Sequence, residues 1–154
     1  MKKIIITLLL AVAPSLIFAQ SAFSKFEDKE GIDVVVINKK MFELLGGIET
    51  TGGGEKAQKY LEQVKNIDHL TIFTTTQLNY IQDMKSTVAS YLKQNSLEEL
   101  MSFSDGGAKT KLYVKSGKKQ SDLKEFLLFS EGGTKKEAVL VSFTGNINLN
   151  ALDK

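Results

Sequence analysis

The sequence predicts an α+β fold: a mixed, mainly antiparallel sheet with two or three helices packed on one of its faces. A β-branched run stands near the start of the chain, helical stripes follow it, and the second half alternates in strand-like fashion between closely spaced turn signals. These patterns predict the element order β-α-α-β-α-β-β-β-β, which ends in a four-stranded meander. We expect residues 20–154 to form a single domain of this kind.

Residues 1–19 have the pattern of a secretory signal peptide. Lys2 and Lys3 form a basic start, an apolar stretch follows, and Ala19 supplies the small residue that precedes a cleavage site. The apolar stretch is shorter than the roughly 20 residues that span a bilayer as a helix. We therefore expect cleavage before Gln20 rather than a retained membrane anchor, and a mature protein that is periplasmic or extracellular.

The first strand is predicted at residues 32–37, where nearly every side chain is β-branched. Because this run is continuous rather than alternating, it indicates a central strand that is covered on both faces. Asn38 then offers a helix N-cap, and apolar residues recur at helical spacing over 41–48. After a glycine-rich interruption, the helical stripe resumes at 55–65.

A second strand is predicted at residues 67–76, and a long helix at 77–94. Because helical segments join the first two strands, the sequence favours a parallel pair with a right-handed crossover. The threonine run at 74–76 offers an N-cap for the long helix. Its apolar stripe is interpreted as core and consists of Leu78, Ile81, Met84, Val88, Tyr91 and Leu92.

The second half of the chain predicts four consecutive strands that form an antiparallel meander. These strands are expected at residues 97–104, 109–115, 123–130 and 137–145. In the second of them, lysines and a tyrosine alternate with Thr110, Leu112 and Val114, which predicts one wet face and one dry face. The third strand has apolar residues on both faces and is expected to be covered on both sides.

The composition excludes several chemistries. The chain has no Cys, so it forms no disulfide and offers no thiolate ligand or nucleophile. All 20 basic residues are Lys, so bidentate guanidinium contacts to phosphates or guanine edges are excluded. The formal net charge of +2 is carried by Lys2 and Lys3 of the leader, which leaves the mature chain near neutrality. We therefore expect no nucleic-acid partner, no cofactor and no metal site.

Few residues are candidates for catalysis. His69 is the single histidine, and its neighbour Asp68 points to the other face of the predicted strand, so the two do not form a catalytic pair. The glycine-rich segment 52–56 superficially resembles a phosphate-binding loop. It lacks the preceding strand, and Ala57 stands where such a loop has Ser or Thr.

Carboxylates remain as a possible catalytic pair, because two of them about 5–9 Å apart suffice for glycoside hydrolysis. The candidates are Glu98 with Glu99 and Asp122 with Glu125, and we interpret all four as solvated strand ends. No catalytic, cofactor-binding or metal-binding residue is therefore predicted.

The predicted function is that of a non-catalytic binding or protein-interaction module. An exposed edge strand of the meander can accept a strand from a partner by β-augmentation. The expected partner is an envelope protein or a small apolar ligand. Two alternatives stay open, a carboxylate-dependent hydrolase and a structural or adhesin-like surface component.

Three segments carry a resemblance to a known family, namely residues 31–45, 67–73 and 140–149. Together with the leader, they resemble the exported proteins of Bacteroidetes-type bacteria catalogued as domain of unknown function 4252. The resemblance covers nearly the whole mature chain. It implies an envelope location and a link to envelope stress or to sigma and anti-sigma regulation, and it implies no catalytic residues. Many relatives resemble lipoproteins, whereas this chain has Gln20 where a lipid-accepting Cys would stand.

Overall fold

The computed structural model describes residues 22–47 and 54–151, which contain a six-stranded antiparallel sheet and three α-helices. The strands are β1 (Asp33–Asn38), β2 (Ile67–Thr75), β3 (Glu98–Asp105), β4 (Ala108–Ser116), β5 (Asp122–Gly132) and β6 (Glu137–Asn148). The helices are α1 (Lys39–Gly46), α2 (Gly54–Val64) and α3 (Leu78–Asn95). The predicted leader and the predicted extension of the first helix to residue 48 lie outside the described residues.

Strands β3 to β6 form the predicted antiparallel meander, in which each strand pairs with the next. The turn between β3 and β4 consists of Gly106 and Gly107, whose φ angles are +55° and +83°. Two consecutive positive φ angles are what a tight hairpin turn requires, and glycine adopts them without strain. The strand order is β1-β2-β6-β5-β4-β3, so the α+β class and the C-terminal meander are confirmed.

The direction of the first two strands differs from the prediction. β1 pairs with β2 antiparallel, with Asn38 opposite His69, so the expected parallel pair and crossover are wrong and the sheet is antiparallel throughout. The reason lies in the two connecting helices, which pack on each other instead of crossing the sheet. At the end of α1, an added Cβ on Gly46 would lie 2.8 Å from the carbonyl oxygen of Leu61 in α2. The chain therefore enters β2 at the sheet end where it left β1.

β1 is an edge strand, which corrects the prediction of a central one. Val35 and Val36 are both exposed. Their β-branched side chains therefore reflect the strand preference of such residues rather than burial on two faces. The predicted cap after this strand is confirmed, because Asn38 Oδ1 accepts a hydrogen bond of 3.3 Å from the Met41 backbone N–H.

The core lies between one face of the sheet and α3, together with the 3₁₀ turn Ser24–Phe26. Its fully buried large side chains are Phe23, Phe26, Phe73, Met84, Leu127 and Leu140. The predicted stripe on α3 is confirmed as core at Ile81, Met84, Val88 and Tyr91, whereas Leu78 is exposed. The N-cap of α3 is Gln77 rather than a threonine. Thr75 supports this turn by accepting a hydrogen bond of 3.1 Å from the Gln77 N–H.

β5 lies beneath α3 and β4 lies beside it, in an arrangement that the strand alternation only partly predicts. On β4, Thr110 and Val114 are buried as expected for the dry face, but the lysine face is the one that faces α3. Tyr113 on that face packs against the core, while the lysines extend to solvent. On β5, Leu127 is buried against α3 and Leu128, on the opposite face, is only half-buried. The expectation that β5 is covered on both sides therefore holds for the α3 face alone.

Leu127 and Leu128 provide a matched test of which face holds the core. We expect Leu127→Ala to lower the free energy of unfolding by about 2–5 kcal/mol, since it opens a cavity in a packed core. Leu128→Ala removes the same atoms from a half-buried position and should cost about 1 kcal/mol. Urea unfolding of the two variants measures both values. Equal losses would contradict the one-sided core.

Candidate functional site

The first pair of predicted carboxylates lies on the outer strand of the sheet. Glu98 and Glu99 are exposed residues of β3, as the interpretation of solvated strand ends requires. Glu99 Oε2 lies 3.2 Å from Lys111 Nζ on the neighbouring strand β4. The pKa of Lys111 is raised above its ordinary value, first by this hydrogen bond and then by its electrostatic interactions with Tyr113 and Glu99. The pair is a surface ion pair on the sheet, of a kind that contributes little to stability.

Glu125 corrects the interpretation of the second pair. It is only 7% exposed, because it shares the α3 face of β5 with Leu127 and Phe129. The Tyr91 hydroxyl donates a hydrogen bond to Glu125 Oε1, which ties α3 to the sheet. Burial raises the pKa of Glu125, although the hydrogen bond from Tyr91 and the charge of Lys115 oppose the shift. Burial also raises the pKa of Tyr91, and the contact with Glu125 adds to that shift.

His69 and Asp68 have separate partners, as predicted for neighbours on a strand. His69 Nε2 lies 2.9 Å from Thr71 Oγ1, and Asp68 Oδ1 lies 3.0 Å from Lys39 Nζ. Register places His69 and Glu125 on either side of Thr144 in β6. Strands lie about 4.8 Å apart, so the Cα atoms of His69 and Glu125 are separated by about 10 Å. His69 therefore contacts Thr71, and Glu125 contacts Tyr91, rather than the two residues contacting each other.

The part of the chain that the structure describes contains no cluster of side chains suited to binding a metal ion. Among residues 22–47 and 54–151, no group of three or more His, Asp or Glu side chains is placed to hold an ion. None of the described helices combines the length and the hydropathy needed to cross a membrane. The glycine-rich segment at 52–56 lies partly outside the described residues, and Glu55 and Lys56 belong to the exposed first turn of α2.

The sheet face opposite α3, here called the open face, carries a continuous line of apolar side chains. Register aligns one residue from each strand across all six strands, and we call this set the apolar row: Val35, Ile72, Val141, Leu128, Leu112 and Met101. Five strand spacings give the row a length of about 24 Å. Its four inner members are half-buried, while Val35 and Met101 at its ends are 52% and 49% exposed. None of the six belongs to the core cluster under α3.

The apolar row ends at β3, which is an edge strand with all eight residues exposed. Leu100, Met101 and Phe103 are 64%, 49% and 48% exposed, and we call these three side chains the β3 surface. A register shift between Glu99 and Met101 makes a bulge at Leu100. An edge strand presents unpaired backbone N–H and C=O groups, and large exposed apolar patches mark sites of interaction. The β3 surface and the apolar row together form the candidate functional site.

Sequence reasoning predicted a strand at residues 97–104 but did not identify it as the edge strand, and it missed the apolar character of that strand. The signal was available in the order Leu100-Met101-Ser102-Phe103, because Met101 and Phe103 alternate onto one face while the bulge adds Leu100. The buried position of Glu125 also had a signal, namely its two-residue spacing from Leu127. What sequence could not supply was which face of the sheet α3 covers.

Comparison with family profiles identifies one family that the chain matches. The family profile described as Domain of unknown function (DUF4252) matches residues 26–154. No curated protein and no solved structure matches the chain. The match includes all six strands and the three helices, so the candidate site and the core residues other than Phe23 lie within the matched region.

The buried carboxyl of Glu125 predicts a specific pH dependence. Because its pKa is raised on folding, the native state keeps a proton that the unfolded state releases over the interval between the two pKa values. Stability should therefore fall as the pH rises through that interval. Glu125→Gln is neutral at every pH and should remove this part of the decrease in stability, so the stability of the wild type relative to the variant should decrease as the pH rises above the ordinary pKa of a glutamate.

Urea unfolding at several pH values measures this difference, and the exposed Glu98→Gln variant is the control. For the control, the difference from the wild type should stay nearly flat over the same range. A flat difference for Glu125→Gln as well would contradict the burial of this carboxyl.

Proposed function

This chain belongs to the family described as Domain of unknown function (DUF4252), and we propose that it is an exported, non-catalytic protein-interaction module of the cell envelope. The family description assigns no activity, so the proposal rests on the chain's own surfaces. The observation that carries it is the apolar row, which crosses the whole sheet and ends in the exposed β3 surface. The expected partner is an envelope protein that adds a strand at β3.

Strand addition suits this edge for two physical reasons. The outer side of β3 has backbone donors and acceptors that a further strand can pair, which supplies affinity independent of sequence. Met101 and Phe103 project onto the open face beside Leu112 and Thr110 of β4, since register pairs them in that order. A partner strand that places apolar side chains on this face would extend the apolar row and remove Met101 and Phe103 from water. Backbone pairing and apolar burial thus act together at one edge.

The hydrolase alternative fits the described contacts less well than the proposal does, and the structural alternative predicts a different product. A carboxylate-dependent hydrolase needs two acids at one reacting bond. Glu99 on β3 instead contacts Lys111, and Glu125 on β5 accepts a hydrogen bond from Tyr91 of α3. A structural or adhesin-like component would assemble through copies of its own edges, and β1 offers a second edge for that purpose. The structural alternative and the proposal can be distinguished by experiment, because self-assembly joins copies of this chain whereas partner capture joins the chain to a different protein.

The envelope location rests on the sequence of residues 1–19 and on the family resemblance, which also implies a role in envelope stress or in sigma and anti-sigma regulation. Export would place the β3 surface where envelope proteins are its neighbours. An exposed apolar edge of this kind would be an aggregation hazard for a chain that had no partner. A partner that covers it would resolve that hazard.

Capture by cross-linking tests the interaction. We expect the exported wild-type protein, cross-linked in intact cells, to yield one dominant protein adduct, and expect Met101→Lys and Phe103→Lys each to reduce its yield at least tenfold. The reason is that either lysine places a charge in the contact that the partner must desolvate. Quantitative mass spectrometry of the purified adducts measures the yields.

The matched control is Leu78→Lys, which introduces the same charge at a 68% exposed apolar residue at the start of α3. This variant should give the same adduct in wild-type yield. If Leu78→Lys and Phe103→Lys lose the adduct equally, the contact does not lie at β3. If the adduct is a second copy of the chain, the structural alternative replaces the proposal.

Processing provides an independent test of export. The mature protein should begin at Gln20 and occur in the periplasmic or culture fraction, because Ala19 precedes the expected cleavage site. Intact-mass measurement and cell fractionation check both points. Retention of residues 1–19 in a membrane fraction would contradict the signal-peptide interpretation.

A further inference from the structure

A cleft lies between α3 and β4, on the sheet face opposite the open face. Its volume is about 350 Å³, and its walls come from α3 on one side and from β4 on the other. The residues that carry the argument are Lys85, Val88, Leu92, Lys109, Lys111 and Tyr113. Since the apolar row faces the other way, this cleft is a separate feature from the proposed protein-binding edge.

The floor of the cleft is apolar because it is the edge of the core. Val88 and Phe129 are buried core residues, and Leu92 and Tyr113 are partly buried against them. α3 lies above β5 and β6 and only flanks β4, so it does not fully cover β4 on this face. The result is an apolar trough that opens to solvent between a helix and a strand.

The rim of the cleft carries more positive than negative charge. Three lysines and one carboxylate, that of Glu131, belong to its lining. Lys85 Nζ lies 2.6 Å from Glu131 Oε1, and Lys111 Nζ lies 3.2 Å from Glu99 Oε2. Among the described residues, Lys109 forms no ion pair. Register places Lys109 opposite Glu131 of β5, whose carboxylate is ion-paired with Lys85, so two ammonium groups share one carboxylate at the mouth of the apolar trough.

We propose that this cleft binds a single-chain anionic amphiphile, an alkyl carboxylate of the fatty-acid class. Its carboxylate would lie at Lys109 and near Lys111, and its alkyl chain would follow the floor along Val88, Leu92 and Tyr113. Charge complementarity selects an anion, since three lysines and only one carboxylate line the cleft. The apolar floor selects an alkyl chain, since burial of methylene groups drives binding.

The size of the cleft selects one chain rather than two. Its volume of about 350 Å³ is near the lower end of the roughly 300–1,000 Å³ typical of ligand pockets. A two-chain phospholipid would leave most of its apolar surface in water. The lysines here contact an anion as point charges, which a carboxylate satisfies without the planar fork that arginine would provide.

Calorimetric titration of the mature protein with decanoate, below the concentration at which it forms micelles, tests the proposal. We expect saturable binding of one molecule per chain. Affinity should rise by about fourfold per methylene from octanoate to decanoate, the factor that corresponds to full burial of each group. Decanol, which has the same chain without the charge, should bind at least tenfold more weakly, and decylammonium should bind more weakly still.

Two variants assign the binding to the cleft, each with a matched control. Lys109→Gln removes one ammonium group of the rim and should weaken decanoate binding about tenfold, whereas Lys118→Gln removes an equal charge in the turn after β4 and should have no effect. Ala89→Glu adds a carboxylate at an exposed position of the cleft and should abolish binding. Its neighbour Ser90 lines a groove on the other flank of α3, so Ser90→Glu should bind as the wild type does.

Several outcomes would overturn the proposal. Equal affinity for decanol and decanoate would exclude recognition of the anion, and binding that survives Ala89→Glu would lie elsewhere. Binding to phosphatidylglycerol vesicles without binding to monomeric decanoate would assign the lysines to a membrane surface instead. Phe103→Lys lies on the open face and should leave decanoate affinity unchanged, so failure at this cleft and failure of the proposed interaction at β3 are distinguishable.

Discussion

The packing of α3 against one face of the sheet is the contact on which the rest of the structure depends. A chain with no Cys must hold its fold by burial alone, and α3 supplies four buried side chains to the core. The 3₁₀ turn with Phe23 and Phe26 extends the same layer. Because the core cluster lies on this face, most apolar residues of the opposite face are half-buried or exposed, whereas Val114 is buried there. The one-sided core therefore creates both surfaces to which a function is assigned here.

Periodicity predicted the elements in the second half of the chain well, because local rules suffice there. The meander has short turns, so each strand must pair with the next, and the bounds of α3 follow from its apolar stripe. The direction of β1 against β2 was not predictable in the same way. It depends on α1 and α2 packing together through the close approach at Gly46, which is a tertiary contact without a periodic signal.

The sequence predicted an edge strand that binds a partner, but it did not predict which residues lie on which face of the sheet. Strand alternation divides the residues of β4 into two sets and cannot say which set faces a helix. The lysine set was assigned to solvent, yet it lies beside α3, and Glu125 was assigned to solvent although it lies under the same helix. Both errors have one cause, namely that α3 lies over β5 and β6 with its side next to β4. Side chains long enough to reach past the helix stay in water, and shorter ones such as Glu125 are enclosed and need a partner like Tyr91.

The alternation of β4 explains how one small sheet can offer two unrelated surfaces. Leu112 belongs to the apolar row, while its immediate neighbours Lys111 and Tyr113 belong to the cleft on the other side. Successive side chains of a strand point to opposite faces, so a change at one of these positions alters one surface and leaves the other in place. An edge that binds protein by backbone pairing and a cleft that binds an anionic chain by charge can therefore be under separate selection. Both surfaces require that α3 stays packed on β5, because this contact forms the floor of the cleft and buries the core face of the sheet whose edge is β3.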